Sequence, residues 1–116
     1  MIRRKDDYEV TLRERMRGGE GTVRIEHFWK KEELKSPTRL LARLILPPGT
    51  SIGFHEHVNE EEVFVVLRGR AEVTDGDAVA EIEAGDTILT GGGAGHAVKA
   101  VGDEPLELLA VIVQYP

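Results

Sequence analysis

In the stretch Gly49-Thr50-Ser51-Ile52-Gly53-Phe54-His55-Glu56-His57-Val58-Asn59-Glu60-Glu61-Glu62-Val63-Phe64-Val65-Val66-Leu67-Arg68-Gly69, two extended segments meet at a short polar turn. Side chains alternate across a strand with period two, so His55 and His57 share one face while Glu56 points to the other. The same alternation turns Glu62, Phe64 and Val66 to one side. A carboxylate on an apolar face is costly to bury unless it is paired or bound to a cation. That cost marks Glu62 for chemistry rather than for packing.

Outward from this stretch the chain repeats the pattern. Val23 to Trp29 and Leu40 to Leu46 precede it as strand candidates, the second stopped by Pro47-Pro48-Gly49. Ala71 to Thr74, Val79 to Glu83, Thr87 to Leu89, His96 to Val101 and Leu106 to Val113 follow it. Arg68-Gly69-Arg70, Asp75-Gly76-Asp77, Ala84-Gly85-Asp86, Gly91-Gly92-Gly93 and Gly102-Asp103-Glu104-Pro105 supply the turns between them. Between Lys30 and Ser36 the chain has room for one helical turn, which Ser36-Pro37 would end. Many short strands and no long amphipathic helix predict an all-β sandwich or barrel. At 116 residues the chain has room for one core and one domain.

Composition removes several function classes. There is no cysteine, so a metal would have to use nitrogen and oxygen ligands, and a thiol nucleophile is excluded. A formal net charge of -6 disfavours nucleic acid, which is held by clustered lysines and arginines. No apolar run approaches the roughly 20 residues that span a bilayer. The charged start, Met1-Ile2-Arg3-Arg4-Lys5-Asp6-Asp7, lacks the apolar stretch of a secretory signal, and a cytoplasmic location is expected.

Read singly, each histidine has an alternative as a surface or core residue. Glu60 shares the parity of Glu62 and is the alternative carboxylate ligand. His55-Glu56-His57-Val58-Asn59 begins like the helical zinc-protease motif, but position 59 is asparagine and the segment is strand-like. The glycines from Gly91 to Gly95 lack the Gly-Lys-Ser/Thr ending of a phosphate loop and read as a mobile turn.

The spacing of Gly49, His55, His57, Glu62 and Gly69 resembles the first motif of the cupin superfamily, and Gly85 through His96 resembles the second. Gly91 stands where the family usually has proline, and Ala100 where it usually has asparagine. The first departure is expected to loosen the loop carrying His96. The resemblance implies a double-stranded β-helix, or jelly-roll β-barrel, holding one divalent ion (Mn, Fe, Ni, Zn or similar) through His55, His57, Glu62 and His96. Octahedral coordination by these four would leave two positions for water or substrate. It also implies a homodimer. Residues 23–116 form the barrel in this reading, and residues 1–22 are expected to contribute a strand, with Tyr8 to Met16 at the subunit contact.

Three functions compete on these grounds. The first is a metal-dependent enzyme of dioxygenase, decarboxylase or sugar isomerase type, acting on a small polar molecule. The second is a module that binds or senses a small ligand without turnover, and the third a closed structural metal site. Arg43 is a candidate substrate clamp if it faces inward. His27 and Trp29 share a strand face and are expected to pack in the core or at a subunit contact. Metal occupancy is expected to fall as the histidines protonate near pH 6.

Overall fold

The computed structural model describes residues 1–116. Ten strands form: β1 (Glu9–Glu14), β2 (Thr22–His27), β3 (Thr38–Leu46), β4 (Ser51–Glu56), β5 (Glu60–Arg68), β6 (Arg70–Asp75), β7 (Ala78–Glu83), β8 (Thr87–Gly91), β9 (Gly95–Val101) and β10 (Leu106–Gln114). They assemble into a six-stranded sheet, ordered β1-β2-β3-β10-β5-β8, and a four-stranded sheet, ordered β4-β9-β6-β7. Every pairing is antiparallel. The result is the two-sheet jelly roll.

Alternation along the strands builds the space between the sheets. Ala42, Leu44 and Leu46 of β3, Phe64 and Val66 of β5, and Leu106, Leu108 and Ala110 of β10 face Ile52, Val73, Val98 and Ala100 of the other sheet. Each fully buried aliphatic side chain of this kind contributes roughly 1.5–3 kcal/mol relative to exposure. Ala100, at the position of the family's usual asparagine, is 1% exposed and belongs to this core. Leu44, Ile52 and Phe64 of this core also border the space that His55, His57 and Glu62 face.

Two local features differ from simple strand alternation. In β3 the register with β10 shifts, so that Ile112 pairs with Leu40 and Val113 with Thr38, leaving Arg39 as an extra residue. Such a bulge re-aims a side chain. The second is β1, which extends the large sheet beyond β2 and is followed by a tight turn, Met16–Gly18, packed against β4. Trp29 lies past the end of β2, with the Arg3 guanidinium 4.3 Å above its ring. The helical turn before Pro37 is a single 3-10 turn, Lys31–Glu33.

Candidate metal centre

His55 lies on β4 and His57 just beyond its end, so both side chains project from the small sheet toward the large one. Asn59 turns the chain with φ 59°, a left-handed conformation that asparagine tolerates. Beyond it β5 begins, carrying Glu62 on the opposite wall. His96 is the second residue of β9 and pairs directly with His55 across the β4–β9 ladder. Four side chains from three segments thereby meet at one point.

Their donor atoms lie within 4.8 Å of one another. His96 Nε2 is 3.1 Å from Nε2 of both His57 and His55, and Glu62 Oε1 is 3.0 Å from Nε2 of both His57 and His96. Two ligand atoms about 2.1 Å from a shared ion are about 3.0 Å apart at a right angle and about 3.4 Å apart at a tetrahedral one. The spacing fits a six-coordinate ion with unfilled positions better than a closed tetrahedral site.

Hydrogen bonding aims the imidazoles. His55 Nδ1 donates to the Gly53 carbonyl at 2.7 Å, and His57 Nδ1 donates to Glu60 Oε2 at 2.6 Å. With protons on those nitrogens, the Nε2 lone pairs face inward, where the Glu62 carboxylate also points. Negative density on several atoms at one point needs a cation to balance it. Phe64 stacks on the His96 ring, with centroids 5.0 Å apart and planes 3° from parallel. The His96 Nδ1 and the Thr90 hydroxyl, which sits opposite Glu62 in the β5–β8 register, are buried without a hydrogen-bond partner.

The charges respond as this crowding requires. Burial pushes the Glu62 carboxyl up, but the His57 and His96 imidazoles, when they carry a proton on Nε2, bond to it strongly enough to hold it below the ordinary carboxylate value. His57 is raised, mainly by its contact with Glu62, with Glu60 adding to the effect. His55 is lowered by burial and by its neighbouring imidazoles. Proton and metal ion therefore contend for the same lone pairs.

Glu60 is not placed with the four donors. It is 9% exposed and binds the far side of His57, while Arg39 grips it with Nε to Oε1 at 2.9 Å and Nη2 to Oε2 at 2.8 Å. Its carboxyl is held at about 2, chiefly by Arg39. The bulge that frees Arg39 from the outward row of β3 allows this contact. Arg43 stays in that outward row, bound to Glu26 at 2.7 Å and 3.8 Å from Glu107, so the inward orientation a substrate clamp needs is absent.

The glycine loop is hydrogen-bonded to the turn after β4. His57 N–H donates to the Ala94 carbonyl at 3.0 Å, Gly93 N–H to the His57 carbonyl at 2.8 Å, and Gly92 N–H to the Glu60 carbonyl at 3.3 Å. A Cβ on Gly91 would lie 2.5 Å from that of Glu61 and 2.8 Å from the Tyr115 hydroxyl, which explains why no larger residue fits there. The loop that carries His96 is therefore fastened to the turn that carries His57.

A cavity of about 300 Å³ opens beside His55, His57 and Glu62. Its wall includes Thr11, Arg13, Met16 and Arg17 from the N-terminal segment, together with His27 and Arg39. His27, expected in packing, faces this space, with Thr11 Oγ1 3.0 Å from its Nε2. The N-terminal residues belong to no recognisable motif, and only the alternation from Glu9 to Arg13, which puts Thr11 and Arg13 on one face, hints at a role in the cavity.

Residues 42–112 match the cupin domain family. The chain is 41% identical over 98 residues to the oxalate-binding protein of Thermotoga maritima, a match covering 84% of this chain and 81% of that protein. The crystal structure of a predicted oxalate decarboxylase from Thermotoga maritima superposes with a TM-score of 0.93 at 37% identity, over 98% of this chain and 99% of the other. A Cupin 2 conserved barrel domain protein from Salinispora arenicola gives a TM-score of 0.74 at 25% identity, over 98% and 88% of the two chains.

Proposed function

The chain belongs to the cupin family, and on that premise we propose that it holds one divalent transition-metal ion through His55, His57, Glu62 and His96 and binds a small carboxylate anion of the oxalate type beside it. One observation carries this reading: three of the four donors, His55, His57 and Glu62, line a cavity whose wall also holds Arg13, Arg17 and Arg39, and of these arginines Arg39 alone is paired, with Glu60. Such a wall favours an anion over a neutral sugar or a cation. The relative that binds oxalate supports the same class of ligand. When bound, the ion supplies a Lewis acid for carboxylate oxygens. The protein's own residues orient that ligand and exclude water with Leu40, Leu44, Ile52 and Phe64.

Elemental analysis of protein purified without chelator is expected to find one manganese, iron, nickel or zinc ion per chain. Calorimetric titration with oxalate should then give binding to the loaded protein and none to the chelated one. Equal binding by both forms would remove the metal from this account.

Turnover of the bound acid is a second reading, favoured by the placement of His27 in the cavity wall. Loss of carbon dioxide from oxalate leaves a carbanion equivalent that must take up a proton to give formate. His27 is the cavity's titratable group outside the four donors and the arginines. Formate production by the loaded protein, lost in His27→Gln without loss of oxalate binding, is the expected result for an enzyme. Binding without formate identifies a binding module.

Self-association through β1 is proposed as well. One edge of this strand is unpaired, and Val10 and Leu12 on its outer face are 37% and 63% exposed. Light scattering at micromolar concentration is expected to return a dimer; a monomer alone would end this proposal.

A further inference from the structure

The cavity's N-terminal wall is built with more constraint than an edge strand needs. A Cβ on Gly53 would fall 2.1 Å from the Arg17 carbonyl oxygen, and one on Gly19 would fall 2.2 Å from that of Ser51. Glycine on both sides lets the turn Met16–Gly18 press directly on β4, two residues before His55. Ser51 N–H donates to the Glu20 carbonyl at 2.9 Å, and Arg15 N–H to the Gly21 carbonyl at 2.8 Å, closing the turn from below. Arg15 and Arg17 adopt left-handed conformations, with φ 47° and 55°. A residue with a Cβ pays conformational strain there, and Gly18 and Gly19 stand immediately beside it. Placing arginine rather than glycine at position 17 keeps a long cationic side chain on the lip of the metal pocket.

The charges identify what that side chain meets. Of the three cavity arginines, Arg39 is neutralised by Glu60, whereas Arg13 and Arg17 take part in none of the chain's ion pairs. A divalent ion with the Glu62 carboxylate leaves one positive charge, which one carboxylate of a ligand cancels. Arg13 and Arg17, exposed at the rim of the cavity, are then free to meet whatever the ligand presents outward, and planar guanidinium is matched in geometry to carboxylate. We propose that Arg17, supported by Arg13, is a specificity-determining residue that makes the cavity selective for doubly charged carboxylates over singly charged ones. The proposal rests on the reading of the cavity as a metal-dependent anion site.

The test uses the full chain loaded with metal and titrated calorimetrically with oxalate and with acetate, alongside Arg17→Gln, Arg17→Gly and the Arg13→Gln/Arg17→Gln pair. Oxalate affinity is expected to fall about 10- to 100-fold in each, the range for losing a charge-assisted hydrogen bond, and acetate affinity by less than about 3-fold. Metal affinity, measured by chelator competition, should change by less than about 2-fold. Arg17→Gly should melt at or above the wild-type temperature, because glycine adopts the left-handed backbone without strain. Oxalate binding within about 2-fold of wild type in the paired variant overturns the proposal alone. So does an equal loss for both acids. Failure of the loaded wild type to bind either acid overturns the anion-site reading and this proposal with it.

Discussion

Saturation with a divalent transition metal is expected to raise the melting temperature by about 10 °C over chelator-treated protein. A ligand held only by the folded state at 100 times its dissociation constant stabilises by about 2.7 kcal/mol, and a domain of this size gains about 4 °C per kcal/mol. The full set of four donors is denied to the unfolded chain. His57 and His96 are separated by 39 positions and converge only when β4, β5 and β9 are in place. Scanning calorimetry of loaded and chelated protein checks the value, and Glu62→Leu and His96→Ala should each abolish the increment. A shift below about 2 °C at saturating metal would mean that the cluster is not a metal site.

Removal of the Glu60 carboxylate is expected to weaken metal binding about 10- to 100-fold, although Glu60 itself is not one of the four converging donors. Its bond to His57 Nδ1 fixes the ring's tautomer and orientation and makes Nε2 more basic. Glu60→Gln keeps an acceptor but drops the charge, so it should fall near the low end of that range and Glu60→Leu near the high end. Arg39→Met acts differently. It strands a buried carboxylate and should cost about 2 kcal/mol of stability, the value for breaking a buried pair discounted for the partial exposure of Arg39. Chelator competition and urea unfolding separate the two effects; unchanged metal affinity in Glu60→Leu would show that His57 needs no such partner.

The barrel was legible because turn residues punctuate the strands and because His55, His57 and Glu62 are close in sequence with one parity. His96 became legible only through the second glycine-rich motif. Arg39 was not, because it has the parity of Arg43 and strand alternation sends both outward. One extra residue in β3 reverses Arg39 and leaves Arg43 with Glu26. Glu60 was visible as a carboxylate on the right face, but parity does not distinguish a ligand from a residue behind a ligand. Arg13 and Arg17 were hidden for another reason. Their placement depends on close backbone contacts at Gly19 and Gly53, which local sequence patterns do not register.

The donors are divided unequally between the two layers of the barrel: the imidazoles come from the side of β4 and β9, and the carboxylate comes from β5. An ion seated among them would act as a rivet through the sandwich. Separation of the layers at that end would then require rupture of the coordination sphere, so breathing of the wall and escape of the ion would be a single event.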